Sequence, residues 1–247
     1  MNKKIFNRVN LIQQMVDKVA AKVYLEIGVF NGYSFLNTKC DQKIAVDPSF
    51  QISLGKKLKY LFKNKTNLKN KYYEITSNDF FYKQNAILND HQPSVIFIDG
   101  LHTFEQTLED CYNSLNYLSE DGIILLHDCS PPTEASAIPA FSINEAEVKC
   151  KKENDLKWEN EWCGDTWKII PYLKENNPEL NVTVLDADYG LGIVSKKDRT
   201  EKKVYKMKDN LATYQSLSFN KLAKDRENLL NLKPVSELEN VLNFHFK

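Results

Sequence analysis

The sequence lacks an excess of either charge: 33 Lys and Arg balance 33 Asp and Glu across 247 residues. Without a net field, the attraction that drives binding to nucleic acid or to an acidic membrane surface is missing, and the expected partner is a small molecule. An apolar run of membrane-spanning length is also lacking, and the opening MNKKIFNRVN has no apolar centre of the secretory-signal kind, so no membrane span and a cytoplasmic location are expected. Five cysteines (Cys40, Cys111, Cys129, Cys150 and Cys163) are odd in number, widely spaced and without a C-x-x-C pair. That argues against both a disulfide framework and a zinc site and leaves free thiols. Internal repeats and low-complexity tracts are missing too, and the length suits one α/β domain with elaborations.

What is present is concentrated in residues 95–130. The run VIFI at 95–98 is apolar without alternation, as in a strand buried on both faces of a parallel sheet, and ends at Asp99-Gly100. Phe104, Leu108, Cys111, Leu115 and Leu118 then follow helical spacing, with Thr103 and Gln106 as a capping-box pair. After Asp121-Gly122 a second apolar run, 123–126, delivers His127 and Asp128. A right-handed β-α-β unit opens both strand ends on one sheet edge, where open α/β sheets bind ligands. Asp99, His102, His127 and Asp128 are therefore expected to meet there. Singly, an Asp before Gly is a turn residue and a His at a strand end a hydrogen-bonded structural group; together they point to chemistry.

Upstream, Ile5, Val9, Ile12, Val16 and Val19 predict an amphipathic helix of structural role. A strand at 23–27 runs into EIGVFNGYS, where Gly28 and Gly32 allow a tight turn and close approach of backbone to a ligand. Any strand-to-helix turn recruits glycine, but the strand at 43–46 ends in Asp47, twenty-one residues after Glu26, where a nucleotide fold places the carboxylate that holds the ribose. A Lys-rich surface helix is expected over 52–65, then a third strand at 72–76. Asp79, beside Phe80 and Phe81, reads equally as an adenine contact or as part of a helix start over core aromatics. Residues 129–163, with prolines, mixed charge, Trp158 and Trp162, form a candidate lid, or else a solvated excursion that its tryptophans pull partly onto the body. A helix over 165–175 and strands at 181–185 and 190–195 follow, the last pair hairpin-like. The organisation expected is a domain over 1–199 and a helical extension over 200–247. Leu222, Leu229 and Leu230 lie on one helical pattern, and a further helix starts at Ser236 to Glu239. The extension packs either on its own domain or on a second subunit of a homo-oligomer.

The ordered set EIGVFNGYS, IAVDP, SNDFF, FIDGLHTFEQTLEDC, GIILLHDC and GLGIV resembles class I S-adenosylmethionine-dependent methyltransferases, over residues 23–195. Within that class, D-G-x-H followed by a helix and a strand ending in His-Asp is similar to the macrocin O-methyltransferase type. The resemblance implies a Rossmann-like, seven-stranded, mostly parallel α/β sheet with an antiparallel last strand and helices on both faces. It implies that Glu26, Gly28 and Gly32 line the loop under the cofactor's methionine end, that Asp47 holds the ribose, and that Asp79 lies near the adenine. Asp99 counts with both the cofactor-binding and the catalytic groups, and His102 is the implied base. Metal-dependent members place magnesium on positions that fall here on Asp99 and Asp128, with His127 where those members carry a carboxylate. A hard ion is served less well by imidazole, so a set of Asp99, His127 and Asp128 stands beside a metal-free alternative using His102 alone. Phe30 replaces the usual middle glycine of the first motif. The implied reaction is O-methyl transfer to a small hydroxylated acceptor. The tail SFNKLAKDRENLLNL is similar to tails of surface-polysaccharide methyltransferases, which suggests a sugar or glycosyl carrier. One rival is a nicotinamide-dependent oxidoreductase, whose G-x-G-x-x-G this chain lacks. The other is a non-catalytic scaffold, against which His102 and Asp99 both stand.

Overall fold

Apolar runs rich in branched side chains fit a sheet buried on both faces, and VYLEI, VIFI and IILL are strands in which every residue is buried. A computed structural model describes residues 6–153, 156–200 and 203–246. The chain divides into two units, one of residues 1–100, 110–125 and 199–205, the other of residues 101–109, 126–198 and 206–247. Among the described residues, eight strands, mostly parallel, and the helices around them make a Rossmann-like α/β fold.

In the first unit β1 (Val23–Ile27), β2 (Gln42–Val46), β3 (Lys71–Tyr73), β4 (Val95–Ile98) and β5 (Ile123–Leu126) follow the order β3-β2-β1-β4-β5. β1 is parallel to both β2 and β4, in a register that sets Ile27 level with Val46 and with Ile98. Consequently Gly28, Asp47 and Asp99, the residues that follow, emerge at one edge. The helices here are α1 (Arg8–Lys18), α2 (Tyr33–Asn37), α3 (Leu54–Lys63), α4 (Ser77–Lys83) and α5 (Asn85–Asp90). α1 buries Leu11, Ile12, Met15 and Val16, whereas Ile5 of the expected stripe lies outside the described residues. α6 (Phe104–Tyr117) divides at residue 109 between the units, and its five predicted apolar positions, the last of them Leu118 just past its end, are buried.

The second unit holds α7 (Ile143–Glu153), α8 (Ile169–Asn176), β6 (Leu180–Leu185), β7 (Leu191–Lys196), α9 (Leu211–Gln215), α10 (Phe219–Lys224), α11 (Arg226–Leu230), β8 (Leu232–Lys233) and α12 (Leu238–His245). β6 and β7 form the expected antiparallel pair, closing at Leu185 opposite Leu191. The strand count is eight and not seven, because β8 of the tail adds to β6 in parallel, Val184 facing Leu232. A two-residue strand has no periodicity to read. The expected leucine helix of the tail is broken at Asp225 into α10 and α11. Nor is the 129–163 insertion a bare excursion: it contains α7 and a cluster of Ala135, Ile138 and Cys150, against which Leu156 and Trp158 pack. All five cysteines are buried free thiols. Among the described residues, no helix is long and apolar enough to cross a membrane.

Candidate active site

The expected site residues divide between the units: Glu26, Gly28, Gly32, Asp47, Asp79 and Asp99 in the first, His102, His127 and Asp128 in the second. In the first unit the chain leaves β1 at Gly28, whose amide donates to the Val46 carbonyl (2.9 Å). Gly28 has φ +79°, and a Cβ there would lie 2.0 Å from the Asp99 carbonyl oxygen, so glycine is required where the loop crosses the end of β4. Phe30, in place of the middle glycine, takes the same left-handed region at φ +45°. Its amide donates to Asp47 Oδ2 (2.7 Å) and its carbonyl accepts from the Gln51 amide (2.9 Å), two bonds that hold a conformation an aromatic residue otherwise avoids. Phe30 as a whole is 63% exposed.

Asp47 is itself oriented by the loop, because Oδ1 accepts from the Ser49 amide at 2.7 Å. A carboxylate offers about four acceptor sites, so two backbone amides fix its plane and leave capacity for a diol. That arrangement fits the ribose of S-adenosylmethionine. Glu26, by contrast, is fully buried under the loop and accepts from the Ser34 hydroxyl (2.6 Å) and from the Tyr24 hydroxyl. Burial raises its pKa to about 8, against the lowering effect of those two hydroxyls. Asp79 lies in the first turn of α4, half-buried, and pairs with Lys83 (2.8 Å), whose hydrogen bond and charge lower its pKa. Asp99 has a partner that local pattern did not reveal: Arg8 Nη1 lies 2.7 Å from its Oδ2.

Glu26 has a consequence for stability. Between pH 4.5 and about 8 the folded chain holds a proton that the unfolded chain has lost, so this contribution is complete below pH 4.5 and disappears as pH rises through 8. Lys43, also fully buried, has its pKa lowered by burial from 10.5 to about 8, and its effect falls above that window. Melting curves from pH 5 to 7.5 are therefore expected to show wild type losing stability with pH relative to Glu26→Gln, by on the order of several degrees. Parallel curves for the two proteins would contradict this.

In the second unit, two expected residues have left-handed backbones, His102 at φ +60° and Asp128 at φ +59°. Among non-glycine residues Asp and His reach that region more readily than most, and residues held there gather at functional sites. His102 Nδ1 lies 3.2 Å from the Trp162 carbonyl oxygen and 3.3 Å from Asp128 Oδ2. Both are acceptors, so Nδ1 carries the hydrogen and the basic lone pair belongs to Nε2. The Trp162 indole stacks on the imidazole at 5.0 Å, and its Nε1 donates to the Ile138 carbonyl (2.8 Å). Gly164 approaches so closely that a Cβ would fall 1.9 Å from the His102 carbonyl oxygen. Asp165 Oδ1 then accepts from the Phe104 amide (2.8 Å), joining Thr103 in capping the start of α6. The 129–163 segment thus contacts His102 through Trp162, and Gly164 and Asp165, just after it, continue along His102 and the start of α6.

Asp128 is buried, with His127 Nδ1 at 3.0 Å from the oxygen that faces His102. Cys163 also bonds to Asp128; burial first, and then that carboxylate, push its thiol pKa far up, which makes Cys163 a neutral neighbour and not a nucleophile. Tyr189 packs edge-on to His127 and donates to Glu161 (2.9 Å); burial and that bond raise its pKa to about 12. Trp162 and the W-C-G-D run were visible in the sequence as an aromatic and a glycine inside a polar connection, but nothing local tied them to His102, sixty residues earlier. In the first unit Asp99 Oδ2 meets a guanidinium, and in the second Asp128 Oδ2 meets two imidazoles.

This fold is shared with solved methyltransferases. An SAH-bound methyltransferase from Podospora anserina superposes with a TM-score of 0.52 at 18% identity, covering 77% of this chain and 78% of the other. An O-methyltransferase from Streptomyces achromogenes, involved in tomaymycin synthesis and solved with SAM, has a TM-score of 0.50 at 10% identity, covering 76% and 78%. More particularly, residues 25–129 match the family model of a methyltransferase domain, a span that runs from the middle of β1 through Asp47, Asp99 and His102 to Cys129. No curated protein matches the sequence.

Proposed function

We propose that the chain is an S-adenosylmethionine-dependent methyltransferase that methylates an oxygen of a small hydroxylated acceptor, a sugar or a glycosyl carrier. The observation that carries the reading is the His102–Asp128 pair, its Nδ1 and Oδ2 3.3 Å apart and both residues in the left-handed backbone region, within a stretch that matches a methyltransferase domain. In this reading Gly28 and Gly32 shape the loop for the cofactor, Glu26 supports that loop from beneath, Asp47 holds the ribose, and Asp79 borders the adenine. The sulfonium of the bound cofactor supplies an electrophilic methyl group. His102 Nε2 takes the acceptor's hydroxyl proton as the oxygen–methyl bond forms and the sulfur–methyl bond breaks. Asp128 stabilises the resulting imidazolium and keeps the tautomer fixed beforehand.

Support for the acceptor class comes from a cavity of about 440 Å³ in the second unit, lined by Ile138, Trp167 and Phe219 together with Glu134, Lys149 and Ser218. Its lining mixes apolar and polar side chains, as a site for a hydroxylated ring requires, and Ile138 links its wall to the Trp162 indole. The test is transfer of labelled methyl from S-adenosylmethionine to a panel of free sugars, nucleotide sugars, catechols and amines. Label in a base-stable ether of a sugar is expected. Label confined to amines would overturn the oxygen assignment, and label confined to catechols the sugar assignment.

A further inference from the structure

Arg8 is the first residue of α1, and the start of that helix is fixed in place. The Asn7 side chain accepts from the amides of Val9 (3.1 Å) and Asn10 (3.4 Å), and Asn10 Oδ1 accepts from the Asn7 amide (3.1 Å), a reciprocal cap. Asn7 Nδ2 also donates to the Tyr33 hydroxyl at 3.3 Å, tying the cap to the first turn of α2, while Leu11, Ile12, Met15 and Val16 bury the helix's inner face. The guanidinium is thereby carried to Asp99, with Nη1 2.7 Å from Oδ2 and only 22% and 14% of the two side chains exposed. A charge-assisted bond of this length in a largely desolvated place is not a solvated surface pair. For a divalent cation to bind the same carboxylate it must either displace the guanidinium, stranding a half-buried arginine, or sit beside it against its repulsion.

We propose that Arg8 occupies the position of the divalent cation at Asp99, so that this carboxylate is no metal ligand and proton removal from the acceptor runs without one. The inference rests on the methyltransferase reading for its chemistry, but the ion titration that tests it does not. The full chain is titrated with Mn²⁺ and the free-ion signal followed by electron paramagnetic resonance, for wild type, Arg8→Gln, Arg8→Lys and the double variant Arg8→Gln with Asp99→Asn. Wild type and Arg8→Lys are expected to leave the free-ion signal unchanged. Arg8→Gln is expected to gain a bound ion, and the double variant to lose it again. Wild-type turnover is expected to survive a chelator unchanged. A bound Mn²⁺ in wild type that is lost in Asp99→Asn overturns the proposal, as does a folded Arg8→Gln that gains no site. Should Arg8→Gln fail to fold, the wild-type titration and the chelator arm still decide. Titration with S-adenosylhomocysteine in parallel separates failure of this inference from failure of the methyltransferase reading.

Discussion

Replacing His102 by Gln is expected to lower methyl transfer about 10²- to 10⁴-fold, the usual worth of a positioned general base, while affinity for S-adenosylhomocysteine stays unchanged. Gln keeps a polar group that can donate towards Asp128, but it has no basic nitrogen to take the acceptor's proton. The magnitude rests on the tautomer: two acceptors, the Trp162 carbonyl and Asp128 Oδ2, both face Nδ1 and reserve Nε2 for the proton. Single-turnover assays with labelled cofactor measure the chemical step without product release. An undiminished rate in His102→Gln would assign proton removal elsewhere, whereas a fall in cofactor affinity equal to the fall in rate would make His102 a binding residue.

Asp47→Ala is expected to weaken S-adenosylhomocysteine binding by at least about 10²-fold. Hydrogen bonds to a charged acceptor contribute roughly 1.5–3 kcal/mol each, and a ribose offers two hydroxyls. The substitution also releases the amides of Phe30 and Ser49, so the loop loses the acceptor that holds Phe30 in its left-handed conformation. Both effects act in the same direction. Calorimetric titration of the variant, with a melting curve to show that it is folded, checks the prediction; affinity equal to wild type would remove Asp47 from the site.

These two residues were legible in the sequence because each follows a strand whose apolar run is unmistakable. β1, β4 and β5 have the expected bounds, and β2 and its Asp47 differ by one residue at the start. Such runs announce themselves locally, since a strand buried on both faces tolerates few alternatives. The third strand was less clear: it ends at Tyr73, and Thr76 caps α4. What stayed hidden depends on partners far apart in the chain. Arg8 meets Asp99 across ninety-one positions, and Asp165 caps α6 across sixty-one. Helical periodicity marked the apolar face of α1 but is silent about which polar residue at its start faces inward. The insertion's own small core, and β8 with its two residues, likewise lack a pattern long enough to read.

In the proposed function the first unit binds the methyl donor's nucleoside through the Gly28-to-Gly32 loop and Asp47. Titrating S-adenosylhomocysteine into the folded wild-type chain, with a nicotinamide dinucleotide as the comparison ligand, tests it most directly. One site of micromolar affinity for S-adenosylhomocysteine and none for the dinucleotide is the result predicted. No heat from S-adenosylhomocysteine, or tighter binding of the dinucleotide, would contradict it.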